Sequence, residues 1–148
     1  MNHRHRTGEL AIKTAIDLFL HFIFTFLLAV FFKNFTGSWV WPFLAVAGGI
    51  FIDIDHFIDY HLYYGFKFHI GDFFKRGYLA SGKCYIVFHS WELVFVLWLL
   101  AVPVISITPL VLGMTIHLLI DQFYSRGPKT LSLFFFYRWY HHFSADAV

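Results

Sequence analysis

The stretch FIDIDHFIDY, residues 51–60, sets Asp53, Asp55, His56 and Asp59 close together at the end of an apolar run. Asp53 and His56 are three apart, as are His89 and Glu92; His117 and Asp121 are four apart, and His21 stands four beyond Asp17. Side chains at these spacings share one face of an α-helix. Imidazole and carboxylate in that phase are ligands for a divalent cation, and Glu-x-x-His pairs from separate bundle helices build carboxylate dimetal centres. His21, Asp53, His56, His89, His117 and Asp121 are the expected ligands. Asp55 shares a face with neither Asp53 nor His56, so capping or orienting suits it as well as ligation. Asp55 and Glu92 are the expected base or orienter for an activated water. Eight such groups suit one ion with supporting carboxylates, or two ions. Nitrogen and oxygen donors point to zinc first, with manganese or iron compatible. Cys84 is the only cysteine, which excludes an internal disulfide and a thiolate zinc cage.

The elements that must carry these groups are membrane helices. Of 148 residues, 59% are hydrophobic, 23% aromatic and only 14% charged, against about 25% charged in an ordinary soluble domain. Twenty-one phenylalanines are too many for one small aqueous core. Four apolar segments, about 14–32, 39–58, 84–102 and 105–124, each approach the length of a bilayer-crossing helix. The expected fold class is therefore all-α, a single multi-pass bundle over residues 1–148 with four transmembrane helices. The basic N-terminus precedes an apolar run with no evident small-residue cleavage site, so that run reads as a retained helix. Pro42 falls in the first turn of the second segment, where its missing N–H costs nothing. NFTGS, residues 34–38, and the Pro103–Pro109 turn make short connections. The linker 61–83 holds four glycines, which argues against one regular helix. The aromatic segment 131–143 reads as an interfacial helix.

Charge orients the bundle. With a cytoplasmic N-terminus, ten of the eleven basic residues lie on the inner side and only Lys33 on the outer. That topology, with both termini cytoplasmic, brings the ionisable residues of all four spans to the inner half. A lone carboxylate or imidazole in lipid costs a few kcal/mol, so such residues face the bundle interior and mark function. Asp59 and His61 read as solvated, His69 and Asp72 as surface groups, and His141 and His142 as interfacial. Gly48–Gly49 permits close helix approach.

The ordered set His21, Gly48 through Asp53-Ile54-Asp55-His56, His89-Ser90 and His117-x-x-x-Asp121 resembles the membrane-bound metal-dependent hydrolases of the YdjM-like, LexA-binding, inner-membrane-associated family. The chain departs from that pattern in carrying Ile52 where the family often has proline, and YIVFHS in place of H-R-G-x-T-H. The resemblance implies a metal-dependent hydrolase in the inner (cytoplasmic) membrane. The depth of the polar cluster suggests a lipid or lipid-linked substrate, with a phosphoester ahead of an acyl ester or amide. Proton or metal-ion translocation and an inactive metal-stabilised scaffold are the alternatives. A homo-oligomer is compatible. The scattered basic residues form no stripe for nucleic acid.

Overall fold

The computed structural model describes residues 3–74, 77–125 and 130–148; Lys75, Arg76, Arg126 and Lys129, part of the charge asymmetry above, lie outside them. Among the described residues the fold is all-helical, with no strand and one isolated antiparallel bridge between Lys83 and Ser144. Helix α1 (His3–Thr36) is followed by α2 (Val40–Gly49), a 3₁₀ turn (Phe51–Asp53) and α3 (Ile54–Tyr64). Two short elements, α4 (Ile70–Phe74) and a 3₁₀ turn (Gly77–Ser81), occupy the linker. Then come α5 (Trp91–Ala101), α6 (Thr108–Ile120) with a π-helical turn (Asp121–Ser125), and α7 (Phe135–Tyr140).

Two stretches, Ile12–Thr36 and Ile105–Tyr124, are long and apolar enough to cross a membrane, and a third counts if α2 and Phe51–Tyr64, bent by 44°, form one broken span. The segment expected to span over 84–102 is helical only from Trp91 to Ala101. Ser90, in extended conformation, caps α5 by accepting a hydrogen bond from the Leu93 N–H, and residues 84–90 precede the helix. His89 and Glu92 therefore do not stack on one helical face. Phe19, Phe22, Phe26 and Phe31 along α1, and Phe95, Leu99 and Leu100 along α5, are exposed. Contiguous apolar faces of this size are foreign to water-facing surfaces.

Helices α1, α2 and α6 pack together because α2 ends in glycine. A Cβ on Gly48 would collide with the Leu110 carbonyl, and one on Gly49 with the Thr25 hydroxyl. Across the same contact, a Cβ on Gly113 would meet the Ala45 carbonyl oxygen at 2.5 Å and the Gly49 nitrogen at 2.9 Å. Small residues let backbones approach where lipid supplies no hydrophobic drive. This glycine layer sits one turn from the polar cluster on every helix: His21 lies four residues from Thr25, Asp53 four from Gly49, and His117 four from Gly113. Helix α5 joins α6 through a shared apolar core of Val94, Ala101, Val111 and Met114, and through Trp98 Nε1 donating to Thr115 Oγ1 at 3.0 Å.

Candidate metal centre

The break after α2 prepares the first imidazole. Beyond Gly49 the chain tightens, and the Asp53 N–H bonds the Ile50 carbonyl at 3.2 Å rather than that of Gly49. The Gly49 carbonyl is thereby available to His117, whose Nδ1 lies 2.9 Å away. A carbonyl only accepts, so His117 carries a proton on Nδ1 and, as a neutral ring, presents a bare Nε2. The same logic fixes His21, whose Nδ1 is 2.9 Å from the Asp17 carbonyl, while its buried Nε2 has no hydrogen-bond partner. It fixes His89 as well, since the Asp55 carboxylate holds its Nδ1 at 2.9 Å and 3.0 Å. All three imidazoles are thus oriented with Nδ1 protonated and Nε2 turned toward the cluster, the arrangement that carboxylates and carbonyls impose on metal-ligating histidines.

Those nitrogens converge. His89 Nε2 and His117 Nε2 stand 3.1 Å apart. Asp53 Oδ1 lies 3.2 Å from the first and 3.5 Å from the second; Asp121 Oδ2 lies 3.6 Å and 3.7 Å from them. With arms of about 2.0–2.1 Å, ligands of a tetrahedral ion stand about 3.4 Å apart, and these five separations straddle that value. At 3.1 Å the two nitrogens share either a proton or a cation, and the flanking Asp53 and Asp121 carboxylates favour positive charge at that point. Two outer histidines complete the cluster: His21 Nε2 is 3.6 Å from Asp121 Oδ1, and His56 Nε2 is 3.9 Å from Asp53 Oδ1. Two groups, His21–His117–Asp121 and Asp53–His56–His89, each bring one donor atom per residue within 4.8 Å of the others. All six expected ligands are therefore neighbours. His21, His89, His117 and Asp121 are buried, whereas the Asp53 side chain is 44% exposed and marks the open side.

The remaining carboxylates shape the walls. Asp55, 3% exposed, accepts from the backbone N–H of Phe88 at 2.9 Å and of His89 at 3.2 Å in addition to the imidazole. Glu92 accepts from the N–H groups of Phe135 and Phe136 at 2.8 Å and 3.1 Å, so its carboxylate serves the N-terminus of α7. Asp59, read from the sequence as solvated, is buried and accepts from the Tyr85 and Ile86 N–H groups at 2.7 Å and 3.3 Å.

Sequence reasoning missed Arg138 altogether as part of this region. Its side chain is fully buried and donates to the carbonyls of His89 and Ile86, each at 3.0 Å, and of Ser132 at 2.5 Å. Asp55 and Asp59 thus hold the N–H groups of the 85–89 segment while Arg138 holds its carbonyls. That is why an irregular, half-buried strip of chain carries His89 where a helix was expected. The available signal was a lone arginine inside FFFYRWY, a charge that such surroundings must satisfy.

Comparison with protein-family models, with curated proteins and with solved structures finds no match to this chain.

Proposed function

We propose that this chain is a metal-dependent hydrolase of the cytoplasmic membrane, acting at its inner face on a phosphoester of a lipid or lipid-linked substrate. The observation that carries the reading is the 3.1 Å approach of two Nδ1-locked imidazoles between the Asp53 and Asp121 carboxylates. His89, His117, Asp53 and Asp121 would hold the ion, zinc first, with His21 and His56 flanking it and able to serve a second. A divalent cation there supplies Lewis acidity and an acidified water. The protein's own residues do the rest. Asp55 and Gly49 hold the two central imidazoles in one tautomer, so their donor atoms need no rearrangement. Asp53, the most open carboxylate of the cluster, would face the ion through Oδ1 and accept the water's proton on its other oxygen. The water oxygen bonds to phosphorus, the ester P–O bond breaks, and the proton passes to the departing alcohol. The inner-face assignment rests on the placement of the basic residues, and the hydrolase class on the motif order His21, D-x-D-H, His89-Ser90, His117-x-x-x-Asp121.

The test is release of inorganic phosphate from phosphatidate in mixed micelles. Zinc-loaded protein should turn over, and chelation or His117→Ala should abolish turnover. Equal hydrolysis by metal-free protein would overturn the reading. Metal-loaded protein that binds zinc yet cleaves neither phosphate nor carboxylic esters would favour the scaffold alternative.

A further inference from the structure

A crevice of about 370 Å³ opens beside the cluster, walled by Phe51, Ile52, Ile54, Phe88, Leu97 and Met114 among others. Its lining comes from the residues that flank the metal candidates in sequence: Ile52 and Ile54 bracket Asp53, Phe88 precedes His89, and Met114 stands one turn before His117. It exists because α2 breaks after Gly49 and α5 begins only at Trp91, leaving a notch between the bent pair, α5 and α6. Of its lining residues Phe51, Ile54 and Phe88 are exposed, and Phe51 and Ile54 belong to the bent pair that is apolar enough to be one membrane span.

We infer that this crevice seats one acyl chain of a membrane phospholipid, with the headgroup end directed toward Asp53 and His89. This deepens the proposed function and rests on it for the meaning of the headgroup position. The chemistry of the walls selects the occupant. Every residue lining the crevice is apolar or glycine, so a headgroup or soluble metabolite placed there would lose its hydrogen bonds to water without replacement. A hydrocarbon chain loses none. The volume lies within the range of about 300–1,000 Å³ typical of small-molecule sites. The polar cluster adjoins these walls along the chain, since the half-exposed Asp53 lies between Ile52 and Ile54 and His89 follows Phe88. An amphiphile matches that juxtaposition with its ester-bearing end at the cluster.

The experiment uses full-length protein in nanodiscs containing phosphatidylglycerol with a diazirine near the end of one acyl chain. Photolabelled peptides are mapped by mass spectrometry. The expected result is labelling concentrated on the crevice segments 51–54, 88–97 and 110–114, lost about tenfold in Leu97→Trp, which fills the space, and kept in Leu97→Ala. Bound zinc, measured in parallel, should be unchanged in both variants, which shows that they are folded. Even labelling over exposed α1 residues such as Phe22 and Phe26, insensitive to Leu97→Trp, would overturn the inference. So would labelling by a polyprenyl phosphate probe but not by the phospholipid. Crevice labelling with no turnover of any ester would leave this assignment standing and count against the hydrolase reading alone.

Discussion

Replacing Asp55 with asparagine separates a ligand-orienting role from a loop-holding one. The carboxylate accepts from three groups: the His89 imidazole and the N–H groups of Phe88 and His89. All three bonds converge on Oδ2, so an asparagine oxygen there can keep them, but its NH₂ then stands in place of Oδ1, 2.9 Å from His89 Nδ1, where two N–H donors face each other at a cost of about 1–3 kcal/mol. The imidazole also loses the anion that fixes its tautomer. Loss of such a partner lowers metal affinity by about 10–100-fold, which is about 1.4–2.7 kcal/mol. Asp59→Asn is the matched comparison. Asp59 holds the Tyr85 and Ile86 N–H groups of the same segment, and its two bonds there are to backbone rather than to an imidazole. Both variants should melt lower than wild type, and only Asp55→Asn should bind zinc more weakly in competition with a chromophoric chelator. Wild-type affinity in Asp55→Asn, or equal losses in the two variants, would refute the assignment of His89 as a ligand positioned by Asp55.

Arg138→Met leaves the carbonyls of Ile86, Ser132 and His89 without their buried donor; at about 1–3 kcal/mol for each unsatisfied group, it should be strongly destabilising in detergent melts, with Arg138→Lys intermediate. Gly113→Ala pushes α6 away from Ala45 and Gly49, should destabilise by about 1–3 kcal/mol, and should also weaken zinc binding, because the same contact sets the His117–Gly49 hydrogen bond. Glu92→Ala removes the acceptor for the first turn of α7 and should lower stability by about 1 kcal/mol while leaving bound zinc unchanged, as elemental analysis would read.

Much of the cluster was legible because its groups obey helical phase. His117 and Asp121 are four apart on α6, Asp53 and His56 three apart around the start of α3, and the glycine pair that brings α2 against α1 and α6 stands just upstream. The third segment misled because hydropathy records how apolar a stretch is and nothing of where its backbone hydrogen bonds go. YIVFHS is apolar enough for a span, yet its amides and carbonyls are taken by Asp55, Asp59 and Arg138, residues at least 26 positions away. The Ser90 cap was the local sign that a helix begins there. Glu92 kept its helical position but looks outward to α7, a partner that no spacing within its own helix reveals. Asp59 looked like a solvated residue at a span's end because it is held chiefly by the backbone amides of Tyr85 and Ile86, which carry no side-chain signature.

If His89, His117, Asp53 and Asp121 surround a divalent cation, X-ray absorption at the metal edge on protein purified without added metal or chelator will show it. Zinc, manganese or iron should be present in stoichiometric amount, in a shell of nitrogen and oxygen donors at about 2.0–2.2 Å with imidazole scattering and no sulfur. Protein free of bound metal that keeps its fold, or a first shell containing the Cys84 sulfur, would contradict that arrangement.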